Sequence, residues 1–221
     1  MLDAVVLSGE GRYADPWHDF RGTSRRVAEL LAAAGLRVQV RGTDADEPER
    51  ARLLVVNAGG GGDARPGTPE EPASRWRAAV LEHALAGGPV LALHAATNTF
   101  YDDPRWPGVI GGRWVVGTSM HPPLGPARVQ VTDVAHPVTA GLPRELEVVD
   151  ERYAHLDVGP RAVPLVTHEH DGAVHPIVWA CTEGPDGEAV RAVVDTLGHD
   201  VAAYGEVRAE LLRREVGWLL G

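Results

Sequence analysis

Ten histidines, one cysteine and no lysine set the chemistry open to this chain of 221 residues. Imidazole titrates near neutrality and is the commonest metal ligand, so it is the natural proton carrier and ligand here. All 21 basic residues are Arg, which removes Schiff-base lysines, a pyridoxal lysine and the Walker-type phosphate loop. No nucleotide cofactor is expected. The lone Cys181 forbids an intramolecular disulfide framework and any cysteine-cluster zinc site. The most informative position follows Val90 to Leu93, in VLALHAATN. A buried strand that turns abruptly lifts its turn residue above the sheet, the geometry of a nucleophile elbow. His94 or Ala95 occupies that turn, and Cys181 lies far along the chain. Ser8, Ser24, Ser74 and Ser119 are not in a G-x-S-x-G setting. A glutaminase-type thiolate mechanism therefore has no nucleophile, and His94 is either a hydrogen-bonded strand-end histidine or a site residue.

Other candidates lie further along. His121 falls in an irregular stretch after Gly111-Gly112-Arg113-Trp114, and His199 follows Gly198, which permits a sharp turn. With His94 these are the candidate metal ligands, the Zn arrangement requiring three protein ligands and an open position. In Asp150-Glu151-Arg152-Tyr153 the adjacent carboxylates must point apart. The segment is either a solvated corner or a catalytic one, with Glu151 as general base and Tyr153 as hydroxyl donor. His18-Asp19 in the first loop is a candidate acid or base at a rim. His168 and His170 share a strand face but precede Asp171-Gly172, which predicts a solvated hairpin tip. His136 reads as a turn histidine, and His83 as surface or core of a helix. Gly59 to Gly62 can aim N–H groups at an anion but lacks G-x-G-x-x-G spacing, so it reads as a flexible loop. Trp106 and Trp114 are open between stacking on a ligand ring and filling the core, and Trp179 reads as core.

The elements that must position these residues alternate in the first half. Ala4 to Leu7, Leu36 to Val40, Leu53 to Val56 and Val90 to Leu93 read as strands. Thr23 or Ser24 caps a helix carrying Val27, Leu30, Leu31 and Ala34 on one face and ending at Gly35. A second helix spans 72–86, with Trp76, Ala79, Val80 and Ala84 inward. These βαβ units predict a parallel sheet with helices on both faces and ligands beyond the strands' carboxyl ends. Residues 101–126 read as a structured excursion. Arg128 to Thr132, Val163 to Thr167, Ile177 to Thr182 and Val190 to Thr196 add strands, the last three as an antiparallel extension. A terminal helix carries Val207, Leu211, Leu212, Val216 and Leu219 on one face. Without repeats or a clear linker, residues 1–221 read as a single α/β domain.

The net charge of -10 argues against duplex nucleic acid or an anionic membrane as a partner, since like charges repel. No apolar run approaches the ~20 residues of a membrane span. The opening MLDAVVLSG reads as a strand and not a signal peptide, so a cytoplasmic setting is expected.

In order, LHAATNTFYDD, WPGVIGGRWVVGTSMH, HPVTAGLP, DERY, PIVWA and VVDTLGHD resemble the trehalose-utilisation (ThuA-like) family over nearly the whole chain. The ordered combination of HP-x-T-x-GLP, DE-x-Y and LGHD carries most of the likeness. The resemblance implies a flavodoxin-like, class I glutamine amidotransferase-like fold that has lost the catalytic cysteine. It also implies a place in disaccharide catabolism beside oxidoreductases that make 3-keto sugars. The family's recurrent polar positions fall here on His94, His121, Asp150, Glu151, Tyr153 and His199, and more loosely on His18. GPDGEAVRAVVDT lacks the family's tight Gly-x-Gly-Arg turn before the last strand.

Two functions from different classes follow. One is an enzyme in which His94, His121 and His199, with Glu151, bind a divalent metal such as Zn or Mn, or act as acid–base groups on a sugar, with His18 and Trp114 touching substrate. Isomerisation, elimination and hydrolysis are all open. The other is a non-catalytic module that binds a sugar or a partner. A homo-oligomer is compatible with either.

Overall fold

The computed structural model describes residues 1–45, 50–60 and 73–221. Its strands are β1 (Leu2–Ser8), β2 (Val38–Gly42), β3 (Ala51–Asn57), β4 (Pro89–Leu93), β5 (Gly112–Arg113), β6 (Gly125–Val131), β7 (Glu145–Asp150), β8 (Asp157–Val158), β9 (Val163–His170), β10 (Ala173–Glu183) and β11 (Ala189–Asp195). Its α-helices are α1 (Phe20–Ala33), α2 (Ala73–Leu85), α3 (Arg105–Ile110) and α4 (Glu206–Leu220). Nine strands form one sheet in the order β2-β1-β3-β4-β11-β10-β9-β6-β7, and β5 pairs with β8 apart from it. The pairs among β2, β1, β3, β4 and β11 are parallel. From β10 outward every pair is antiparallel. Two reversals restore direction at β9, and two more at β7. The edge strand β7 therefore points the same way as β1, β4 and β11.

Both faces of the parallel half are covered, which is why its strands are continuous apolar runs. Val5, Leu7, Leu54, Val56, Val90 and Ala92 face one core with Trp76 and Val80 of α2 and Trp106 of α3. Ala4, Val6, Leu53, Val55, Leu91 and Leu93 face the other with Val27 and Leu31 of α1 and Leu212 and Val216 of α4. Period-two alternation in β1, β3 and β4 thus builds two cores at once. Each fully buried Val or Leu contributes roughly 1.5–3 kcal/mol to holding these layers together. Trp106 and Trp179 are core residues, their Nε1–H groups donating to the Ala96 and Ile110 carbonyls at 2.8 and 2.7 Å. No helix among the described residues is long and apolar enough to cross a membrane.

Several local expectations change. The cap of α1 is Asp19, whose carboxylate accepts from Gly22 N at 2.9 Å. Thr23 and Ser24 lie inside the helix and instead accept from the Asn57 amide. A carboxylate at the positive end of the helix competes well for the cap. The hairpin turn is tighter than expected: β9 runs to His170 and β10 starts at Ala173, leaving only Asp171 and Gly172, both with positive φ. His168 is consequently buried in a strand and is not a solvated tip. The 101–126 excursion contains α3, β5 and the start of β6. β7 carries the alternation of Leu146 and Val148, which the adjacent charges obscure. Val207 is exposed, unlike the other apolar residues expected on its helix face. Of the glycine run, Gly61 and Gly62 lie outside the described residues, as does residue 72.

Candidate metal and acid–base site

His94 follows β4 directly and adopts φ 46°, a left-handed conformation rare for a side chain with a Cβ. The turn is held because His94 Nδ1–H donates to the Thr196 carbonyl at 2.6 Å, just past β11. That bond leaves Nε2 as the free ligand or acceptor atom, and the Tyr153 hydroxyl donates to it at 3.0 Å. His18 is prepared in the same way. Its Nδ1 donates to Asp15, 2.8 Å from either carboxylate oxygen, leaving Nε2 free. The partner is Asp15 and not Asp19, which is committed to the helix cap. Binding one ring nitrogen to a carbonyl or carboxylate fixes the tautomer and raises the basicity of the other, as around metal-ligating histidines.

Glu151 joins these rings. Its carboxylate lies 3.6 Å from His94 Nε2, 3.1 Å from His199 Nδ1 and 3.5 Å from His121 Nδ1. His199 Nδ1 is buried and has no hydrogen bond despite that proximity. The rings of His18, His94 and His199 sit with centroids 5.0, 5.0 and 5.4 Å apart. One ligand atom from each of His18, His94, Glu151 and His199 lies within 4.8 Å of the others, so this set could hold a metal ion. Three imidazoles and one carboxylate are a donor set suited to a first-row divalent cation. His121 stands beside the set: its Nδ1 donates to the Pro122 carbonyl at 3.1 Å and its ring lies 5.8 Å from that of Tyr153. His18, expected as a rim acid or base or a substrate contact, is thus inside the candidate ligand group, and His121, expected as a ligand, is at its margin.

Asp150 points away from Glu151, as adjacent residues leaving a strand must. Its carboxylate accepts from Gly198 N at 2.6 Å, His199 N at 3.1 Å and Glu151 N at 2.9 Å. It ties β7 to the turn after β11 and lies near enough to His94 to feel its charge. Burial raises its pKa, opposed by His94 and by those three N–H bonds. Burial also pushes Glu151 upward, but the hydrogen bond and charges of His94, His121 and His199 outweigh it and leave the carboxyl below its ordinary value. Asp15 follows the same pattern with His18 as the dominant opposing group. Tyr153 is raised well above its ordinary value, first by burial and then by Glu151, Asp150 and Asp15. It is a proton-bearing hydroxyl at neutral pH.

A second buried group underlies the His199 turn. Arg208 of α4 lies 3.1 Å from Asp195 and 3.5 Å from Glu215, all essentially inaccessible. Asp195 also accepts from Leu197 N at 2.8 Å. Burial, and then Asp195, raise the pKa of Glu215 well above its ordinary value. Gly198 has φ 107°, and a Cβ there would meet the Tyr204 hydroxyl at 2.6 Å, so the turn packs tightly on this layer.

The site opens into a cavity of about 950 Å³ lined by His18, Trp17, Trp114, His121, Tyr153 and Glu151 among others. The Trp114 ring meets Tyr153 edge-on at 4.8 Å. Trp17 is 74% exposed at the cavity, a feature the sequence reading missed although PWHD places it beside His18. Asp15 was missed too; its signal is the three-residue spacing to His18. Gly60 lines the cavity, His83 bonds the Pro89 carbonyl and His136 accepts from Val138 N. Cys181 is buried in β10, apart from the cavity.

Residues 6–218 match the family model ThuA, described as trehalose utilisation. No curated protein matches the chain. Among solved structures, a ThuA-like protein from Parabacteroides merdae ATCC 43184 is similar at 20% identity and TM-score 0.75, covering 99% of this chain and 90% of that one. A ThuA-like protein from Bacteroides uniformis ATCC 8492 is similar at 16% identity and TM-score 0.72, covering 98% and 90%. A glutamine amidotransferase from Thermotoga maritima shares the fold at 12% identity and TM-score 0.57, covering 99% and 98%.

Proposed function

The chain belongs to the ThuA, or trehalose-utilisation, family, and from that premise we propose that it is a metal-assisted acid–base enzyme acting on an uncharged sugar, a trehalose-type disaccharide or its 3-keto derivative. The observation that carries this reading is the convergence of His18, His94, Glu151 and His199 on one point, with two of the imidazoles tied in advance through Nδ1. Zinc or manganese suits that set. Such a cation supplies positive charge beside the oxygen on which negative charge develops when a proton leaves the neighbouring carbon.

The protein's own groups divide the remaining work. Glu151, held below its ordinary pKa, is ionised at neutral pH; its Oε2, toward His94 and His199, would join the donor set, and its Oε1, toward His121, would take the proton next to a carbonyl. Tyr153 keeps its proton and donates a hydrogen bond to an oxygen within reach. His121 stands at the open side beside Glu151, where its ring would border a bound substrate. Trp17 and Trp114 offer ring faces to a sugar, and the cavity admits a disaccharide-sized molecule. In place of the elbow thiol, His94 commits the turn to ligation through Nε2.

The test uses chelator-stripped full-length protein, titrated calorimetrically with Zn²⁺ and with Mn²⁺. Binding of one equivalent that is lost in His94→Ala and Glu151→Gln is expected. The loaded protein is then mixed with 3-keto-trehalose in D₂O, where NMR should show exchange of the proton beside the ketone. Absence of stoichiometric binding, or of exchange and any new sugar with the loaded protein, overturns the reading.

A further inference from the structure

Four histidines lie outside the site, at the end of the β9–β10 hairpin. His168 and His175 are directly opposed across the strands, and His170 follows on the same face. His155 reaches over them from the chain beyond Tyr153, its ring 4.5 Å from that of His175. Their nitrogens do not gather as those of the site do; among the described residues only the site group meets the spacing for an ion. They are spent on main chain. His168 Nε2–H donates to the Tyr153 carbonyl at 2.9 Å, and His175 Nδ1 accepts from His155 N at 3.2 Å. His175 Nε2–H donates to the His170 carbonyl at 3.3 Å, which fixes its tautomer.

We infer that His168 and His175 are positioning residues that clamp the backbone of Tyr153–His155 and so aim the Tyr153 hydroxyl at His94. The inference rests on the reading above, in which that hydroxyl works beside His94. Three observations support it. The clamped segment is strained: His155 has φ 56°, a conformation that must be held by its surroundings. Both imidazoles are buried, and the His168 bond to the Tyr153 carbonyl is itself buried. The same segment pairs with Met120 through Ala154, and His155 O accepts from Ser119 Oγ, so the clamp also steadies the stretch bearing His121. The bond to His155 N requires an unprotonated His175. Burial lowers the proton affinity of His175 and His168 alike, among neighbours Arg152, His155, His170 and Asp171.

The geometry dictates which replacements preserve the clamp. Gln at 168 puts an amide donor where Nε2–H stood, whereas Asn puts it where Nδ1 stood. Asn at 175 puts an acceptor oxygen where Nδ1 stood, whereas Leu offers none. The experiment labels tyrosine at the ring carbon bearing the hydroxyl in the full chain, assigns Tyr153 among the four tyrosines by Tyr153→Phe, and follows its ¹³C shift. That shift reports whether the hydroxyl is hydrogen-bonded. His168→Gln and His175→Asn should retain the wild-type signal. His168→Asn and His175→Leu should displace it toward that of an unbonded phenol, with far-UV circular dichroism unchanged. An unmoved Tyr153 signal in both disrupting variants overturns the inference, as does an equal displacement in His168→Gln and His168→Asn. Should His175→Leu fail to fold, the Gln and Asn variants at 168 decide alone. Zn²⁺ titration of the same samples separates the two readings: loss of cation binding in wild type removes the proposed function and leaves the tyrosine result standing, and the reverse holds equally.

Discussion

Eight of the ten histidines fall into two sets that use their ring nitrogens in opposite ways. The site set, His18, His94, His121 and His199, stands beyond the carboxyl ends of strands or beside them. Two of its members spend one nitrogen on an anchor and leave the other free, aimed at a shared point. In the hairpin set, both nitrogens of His175 and one of His168 are bonded to main chain, and the rings share no centre. The difference lies in what surrounds each residue and not in its type. Loops after parallel strands converge because the strands run together, whereas neighbours on one hairpin face line up side by side.

The comparison is most sharply tested through the buried charge beneath the His199 turn, which the hairpin set lacks. Arg208→Met strands Asp195 beside Glu215 and should cost about 3–5 kcal/mol in urea unfolding. His170→Gln, at the hairpin, should change stability by less than about 0.5 kcal/mol. Equal costs would remove the contrast. A smaller effect separates the sets by function. Asp15→Asn keeps the acceptor for Trp17 N and His18 N but weakens the anchor of His18, so Zn²⁺ affinity should fall about 10–100-fold. His170→Gln should leave that affinity unchanged, and calorimetry reads both.

The smallest effect is one of pH. Burial lowers the pKa of His83, His136, His168 and His175 below the ordinary 6.5. Above that value both folded and unfolded chains hold them neutral. As pH falls through it, the unfolded chain takes up protons first, so stability declines until the folded-state values are reached. Thermal unfolding should show this decline below about pH 6.5, and His168→Gln/His175→Asn should flatten it. A midpoint rising as pH drops through that interval would contradict the burial of these rings.

Much of this was legible in the residues. Continuous apolar runs at Ala4–Leu7, Leu53–Val56 and Val90–Leu93 announce two-sided burial, and a strand followed by a sharp turn announces His94. Convergence was not legible. That Glu151 reaches His199 depends on four reversals of direction between β11 and β7, and on the three N–H groups gathered by Asp150. The pairing of His18 with Asp15 was hidden because the adjacent Asp19 competes for notice while serving α1. His168 was misjudged because a two-residue turn lets the strand run further than its apolar residues suggest.

The four candidate ligand residues follow β1, β4, β7 and β11, so no two come from one supersecondary unit. The site is therefore not portable. An excised βαβ fragment or the isolated hairpin retains at most part of the donor set, and grafting any single loop onto another scaffold transfers a histidine without its purpose.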